Sequence, residues 1–174
     1  MLSLVQFGIL ILKGGMVMDT KIKSLNMELT QMYKWEDDLY HRYSVFCGLS
    51  DPALWVLYSL YEDEEKTYTQ NDFVSMWFYP KQTVNYTVSG LVKKGWITLE
   101  QMPAARNSKT ILLTEEGRHI CEEKILPLMT AEENSLKRMT KSEQELLLQL
   151  TKKQFTYFEE EIEKLTGEKS EKKL

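Results

Sequence analysis

Pro80 and Gly95 bracket one short amphipathic segment, and this bracket constrains the fold more than any other feature. Proline fixes its own backbone angle and suits a helix start; glycine suits the left-handed position just past a helix end. Between them Val84, Val88, Leu91 and Val92 fall on one face, which predicts a helix from Pro80 to Lys94 with that face inward. Trp96 should then fold back on Leu91. The other face carries Gln82, Asn85, Tyr86, Ser89 and Lys93, with Lys81 and Thr83 in the first turn. Strands are expected at residues 96–100 and 110–113, around a polar tip with Arg106, Asn107, Ser108 and Lys109.

The elements before this segment are helical. Leu25, Leu29, Met32, Trp35, Leu39 and Tyr43 recur at three and four residues, predicting a long helix over 21–46. Gly48 ends it, and Pro52 opens a second over 53–61. Thr69 and Asp72 have capping-box spacing, so a short third helix is expected over 70–76. Trp77 and Phe78 read as packing anchors beneath the next helix. After the hairpin, Thr114 should cap a helix that Pro127 kinks. Thr140 and Glu143 form a second capping box. The last helix then carries Leu146, Leu147, Leu150, Phe155, Phe158, Ile162 and Leu165, before a frayed tail.

Charge is unevenly placed along these elements. The 174-residue chain has a net charge of −4, which argues weakly against a nucleic-acid partner. Between Lys66 and Leu113, however, Lys66, Lys81, Lys93, Lys94, Arg106 and Lys109 face only Asp72 and Glu100. An anion-binding middle therefore sits between acidic ends, and local charge decides at close range because salt screens beyond about 8 Å. At 43% hydrophobic and 28% charged, the composition is that of an ordinary globular protein.

Helix, helix, short helix, helix and hairpin is the order of a winged helix-turn-helix. Unpaired amides at a helix start attract phosphate. Gln and Asn can each pair with an adenine edge. A small basic hairpin can follow the phosphates or enter the minor groove. The bland alternative, an exposed helix beside a solubilising loop, explains each feature alone but not their combination.

The stretch "TQNDFVSMW…PKQTVNYTVSGLVKKGWI…ARNSKTILLTEEG" resembles the MarR family of bacterial transcription factors. The resemblance runs from about Trp35 to the last helix, and "PKQTVN", "LVKKGWI" and "LTEEG" are its most specific parts. It implies a mainly α fold with a small β-hairpin wing and terminal dimerisation helices. It also implies a recognition helix opening at Pro80 and a wing between Glu100 and Thr110. The family's wing usually carries Asp-x-Arg; here Arg106 matches, but Ala104 stands where Asp is expected. A register one residue later would place Ala105 and Asn107 there.

The implied organisation is a leader or extension at 1–18 and a dimerisation helix at 19–48. The winged region covers 49–114, further dimerisation helices 115–166, and a tail 167–174. The expected DNA contacts are Thr69, Gln70, Lys81, Gln82, Thr83, Asn85, Tyr86, Ser89, Arg106, Asn107, Ser108 and Lys109. The partners are double-stranded DNA with a pseudopalindromic operator, and a second copy of the chain. Independently, the apolar stripes of the terminal helices exceed what one small winged helix can cover, and a two-fold mate would cover them; packing only on each other is the alternative.

The function expected is that of a homodimeric cytoplasmic repressor, relieved by a small effector. A protein-interaction module, or a ligand-binding protein without a DNA target, is the alternative. Trp35, Tyr40, Tyr43, Trp55 and Tyr58 could line a cleft for a small aromatic effector, although core packing accounts for the same rings.

No cofactor, metal or catalytic residue is expected. His41 and His119 have no partner at ligand spacing, and no phosphate loop or nucleophile elbow occurs. Cys47 lies near only Arg42 to lower its pKa, which disfavours redox sensing, and Cys121 reads as a small packing residue. The apolar run Leu2 to Leu12 is too short to span a bilayer. It also lacks a signal-peptide pattern, so it reads as translated leader with a start at Met16 or Met18. An extension packing on a partner subunit is the alternative.

Overall fold

A computed structural model describes residues 9–11, 17–63, 65–101 and 109–168. Two units divide the chain, Met1–Asp51 and Pro52–Leu174. In the first, strands β1 (Ile9–Ile11) and β2 (Val17–Asp19) pair antiparallel, and helix α1 (Thr20–Phe46) follows. Asp19 caps α1 by accepting the Lys21 N–H at 2.8 Å. The far end closes on Gly48, whose φ of 67° suits the absence of a side chain. There the Gly48 N–H reaches the Val45 carbonyl and the Leu49 N–H the Ser44 carbonyl, a complete Schellman cap.

α2 (Asp51–Glu62) begins where the units meet. Asp51 receives the hydroxyl of buried Ser44, and its carboxylate lies 3.0 Å from the Nδ1 of His41. The rest of α2 buries Ala53, Leu54, Val56, Leu57 and Leu60 in the core of the second unit.

That core is completed by α3 (Gln70–Trp77), α4 (Lys81–Lys93) and the antiparallel pair β3 (Ile97–Gln101) and β4 (Lys109–Leu113). The capping box predicted for α3 is present: Asp72 accepts the Thr69 N–H at 2.7 Å, while the Thr69 hydroxyl accepts the Asp72 N–H. Phe73, fully buried, stacks on Tyr68, and burial of such a ring contributes about 2–3 kcal/mol. The register pairs Ile97 with Leu113 and Gln101 with Lys109. Tyr68 adds a bridge to Ile111, whose N–H donates to the Tyr68 carbonyl at 2.8 Å. The hairpin is thereby tied to the residue just before α3.

α5 (Glu115–Lys124) starts at Thr114, whose hydroxyl accepts the Gly117 N–H. The chain crosses so close to Trp96 here that a Cβ on Gly117 would lie 1.8 Å from the Trp96 carbonyl oxygen. The glycine of "LTEEG" is therefore a steric necessity. At Pro127 the expected kink is a full break: α5 ends at Lys124 with Ile125 as its C-cap, and α6 (Leu126–Lys137) begins with the proline in its first turn, where a missing N–H costs nothing. α7 (Lys141–Thr166) opens with the predicted Thr140–Glu143 capping box.

Two packing expectations fail. Phe78 is 76% exposed, not an anchor. It holds the left-handed conformation after α3, φ 53°, which turns its ring outward, and Trp77 packs instead. Val92 is exposed as well, and Thr87 takes the inward place. The buried stripe is Val84, Thr87, Val88 and Leu91, the spacing that helical periodicity favours.

Candidate nucleic-acid interface

α4 is a two-faced helix held rigidly from below and at its end. Val84, Val88 and Leu91 are almost completely buried. The Trp96 N–H reaches the Leu91 carbonyl at 3.1 Å and the Gly95 N–H the Val92 carbonyl at 2.9 Å, so the predicted Schellman cap is formed. Lys94 lies 4.3 Å from the centre of the Trp96 ring, a cation–π contact that holds this charge at the start of the hairpin.

The helix start, like that of α6, has no side-chain cap. Side chains cap α1, α3, α5 and α7, but none caps α4. Pro80, expected as the first helical residue, is the N-cap residue itself, and the helix begins one place later at Lys81. The amides of the first α4 turn therefore lack a side-chain acceptor, and the positive end of the helix dipole is uncompensated.

The structure places Lys81, Gln82, Asn85, Tyr86 and Ser89 together on the exposed face of this helix, with Thr83 half-buried at its margin. Tyr86 is 85% exposed. Among the described residues, no hydrogen bond or ion pair engages these side chains. Thr69 and Gln70 are half-buried at the start of α3, where Asp72 engages both the N–H and the hydroxyl of Thr69. Lys109 is exposed at the loop end of the hairpin, paired with Gln101. Arg106, Asn107 and Ser108 lie outside the described residues.

Sequence reasoning missed Gly90, which is also exposed on α4. A Cβ there would meet nothing within 4 Å, so internal packing does not require the glycine.

The five rings expected in an effector cleft fall in different units. Trp35, at 64% exposure, and half-buried Tyr40 and Tyr43 belong to α1. The Tyr43 hydroxyl is pushed up to about 12 by burial first and then by its hydrogen bond to Cys47. Trp55 and Tyr58 belong to α2. Trp55 stacks on Trp77 at 4.3 Å, and the Trp77 indole N–H donates to Ser59 at 2.9 Å. Tyr58 donates to Glu132 at 2.7 Å; burial first, and then this carboxylate, hold its hydroxyl well above the ordinary tyrosine value. Cys121 is fully buried, as its packing role requires. Among the described residues no cluster of three or more His, Cys, Asp or Glu side chains is placed to hold a metal, and no helix is long and apolar enough to cross a membrane.

Residues 48–106 match the model of the MarR family. Over that stretch the chain is similar to the MarR family. The structural likeness extends beyond the matched stretch. NMB1585, a MarR family regulator from Neisseria meningitidis, superposes with a TM-score of 0.69 at 19% identity, over 80% of this chain and 96% of that one. Staphylococcus aureus MepR, in its complex with DNA, gives 0.61 at 19% identity over 75% and 96%. Bordetella bronchiseptica BpsR, whose DNA binding is regulated by 6-hydroxynicotinic acid, gives 0.58 at 18% identity over 75% and 98%. At these identities the likeness establishes the fold. No curated protein matches the sequence.

Proposed function

We propose that this chain is a sequence-specific DNA-binding transcriptional regulator, a cytoplasmic homodimer that represses its target and is released by a small aromatic effector. The observation that carries this reading is the outer face of α4. It combines an uncapped helix start, two lysines and a row of polar side chains with no partner among the described residues. Such a face fits a duplex: the amides and Lys81 meet phosphate, and the side chains beyond them meet base edges. The hairpin, with Lys109 at the loop end of β4, positions the helix along the backbone, and Arg106, Asn107 and Ser108, which precede it in sequence, add polar and basic groups for the same contact. The DNA complex of MepR supports this use of the fold.

A two-fold dimer supplies the second α4. Successive major grooves on one side of a duplex lie roughly 34 Å apart, which matches a pseudopalindromic operator. Exposed apolar residues on α1, such as Ile22, Leu25 and Trp35, and on α7, such as Leu147, Leu150 and Phe158, support such a pairing. The stacked Trp55–Trp77 pair and the hydrogen-bonded Tyr58 offer a planar ligand an aromatic surface, and regulation of BpsR by 6-hydroxynicotinic acid supports that part of the reading. An effector acts by favouring a subunit spacing that no longer fits both half-sites.

Selection of bound duplexes from random DNA tests the proposal. The affinity of the selected duplex should fall steeply as salt rises. Lys81→Ala should weaken all duplexes alike and reduce the log–log salt slope by about one. Failure to retain any duplex at low salt, or a slope unchanged by Lys81→Ala, refutes the α4 reading.

A further inference from the structure

Resting on the DNA-binding reading, we infer that α4 reads A·T base pairs, with Gln82 and Asn85 on adenine edges and Tyr86 against thymine methyl groups. The inference comes from which chemistries occupy the central outer face and which are missing from it. Guanine is ordinarily read by Arg or Lys, which donate two hydrogen bonds to its O6 and N7. α4 contains no arginine, and its two lysines stand at its ends, Lys81 in the first turn and Lys93 in the last. Gln82, Asn85, Tyr86 and Ser89 lie between them, at the spacing of one helical face.

Each of these residue types has a definite reach. A carboxamide both donates and accepts, so it matches the N6 donor and N7 acceptor that adenine presents side by side. Gln82 and Asn85 are separated by about 4.5 Å along the axis, close to one base-pair step, so neighbouring adenines fall to neighbouring amides. Tyr86, one turn beyond Gln82, holds an aromatic ring that is 85% exposed and makes no ring contact among the described residues. The one apolar group on the floor of the major groove is the thymine 5-methyl, and a ring contacts it as other apolar side chains do. Ser89 can donate or accept and discriminates little. Gly90 removes bulk beside Tyr86 at a point where internal packing would accept a side chain, which allows the groove wall to approach closely.

The test uses the full chain and the duplex selected above. Thymines in each half-site are replaced one at a time by deoxyuridine, which deletes only the methyl group. Adenines are replaced by 7-deazaadenine, which deletes the N7 acceptor. One uracil substitution should weaken binding severalfold, and one 7-deazaadenine substitution about tenfold or more. Tyr86→Ala should bind thymine and uracil duplexes equally, and Asn85→Ala or Gln82→Ala should each lose sensitivity to one 7-deazaadenine. All three side chains are exposed, and unchanged melting curves would verify the folds. Retention of G·C pairs at the α4-contacted positions, or undiminished uracil sensitivity in Tyr86→Ala, overturns the inference while leaving DNA binding intact. Recovery of no duplex at all overturns both.

Discussion

The winged region and the long terminal helices solve the same problem in opposite ways. From α2 to α6 the large apolar side chains are mostly inside: Leu54, Leu57, Phe73, Val84, Val88, Ile97, Ile111 and Ile125 are all essentially inaccessible. α7 buries no residue, and α1 buries only Ser44, although both carry Leu, Met, Phe, Tyr or Trp along their length. The first region closes a core within one chain. The terminal helices present stripes that a single copy leaves exposed. The contrast teaches which half of the molecule is self-sufficient, and it can be broken at either end.

The closed half should fail first at Gly117. Gly117→Ala forces a Cβ into the Trp96 carbonyl, and about 3 kcal/mol of stability should be lost, seen as a large drop in the thermal midpoint. An unchanged midpoint would mean that the α5 start does not press on the hairpin as described. The open half should respond in association instead. If the proposed dimer forms through α7, Leu150→Glu should remove about 2 kcal/mol of apolar burial from each copy. Sedimentation should then show monomer, with the helical content of each chain kept. If the variant remains dimeric, α7 is not where the copies meet.

Two smaller effects sharpen the contrast. Gly90→Ala should stabilise the free protein by about 0.5–1 kcal/mol, because helix propensity rises and the added Cβ meets open space. It should weaken duplex binding at the same time, a split that only an outward role for the glycine produces. Last, the capping box of α7 should give a weak acid dependence. The Thr140 backbone N–H, and then its hydroxyl, hold the Glu143 carboxyl below the ordinary carboxylate value. A depressed folded value stabilises above the unfolded pKa of about 4.3, and that contribution disappears as pH falls through the folded value. Melting curves of wild type and Glu143→Gln taken from about pH 6 to about pH 3 should converge at the acid end.

Local signals made much of the architecture legible. Capping boxes at Thr69 and Thr140, the glycines after α1 and α4, and the Pro80–Gly95 bracket placed helix ends to within a residue or so, because each acts through backbone chemistry a few residues away. Phe78 and Val92 were misread for the complementary reason. Val92 falls on the stripe that periodicity marks for burial and Phe78 is a large ring in the link between two helices, yet exposure depends on what the chain elsewhere brings alongside. Of the site, the outer face of α4 could be read directly, since whatever lies opposite a buried stripe is exposed. Its missing cap and the freedom around Gly90 could not, because both are statements about neighbours in space.

The sequence by itself determined where helices start and stop, which face of α4 is polar, and how charge concentrates between Lys66 and Leu113. Those properties arise from contacts within a turn or two of the chain. Only the tertiary structure decided that Thr87 rather than Val92 joins the core, that Gly117 must lack a side chain beneath Trp96, and that Tyr68 ties the hairpin to α3 through Ile111. Each is set by a close approach between segments distant in sequence, and packing at that density admits one answer that no local pattern encodes.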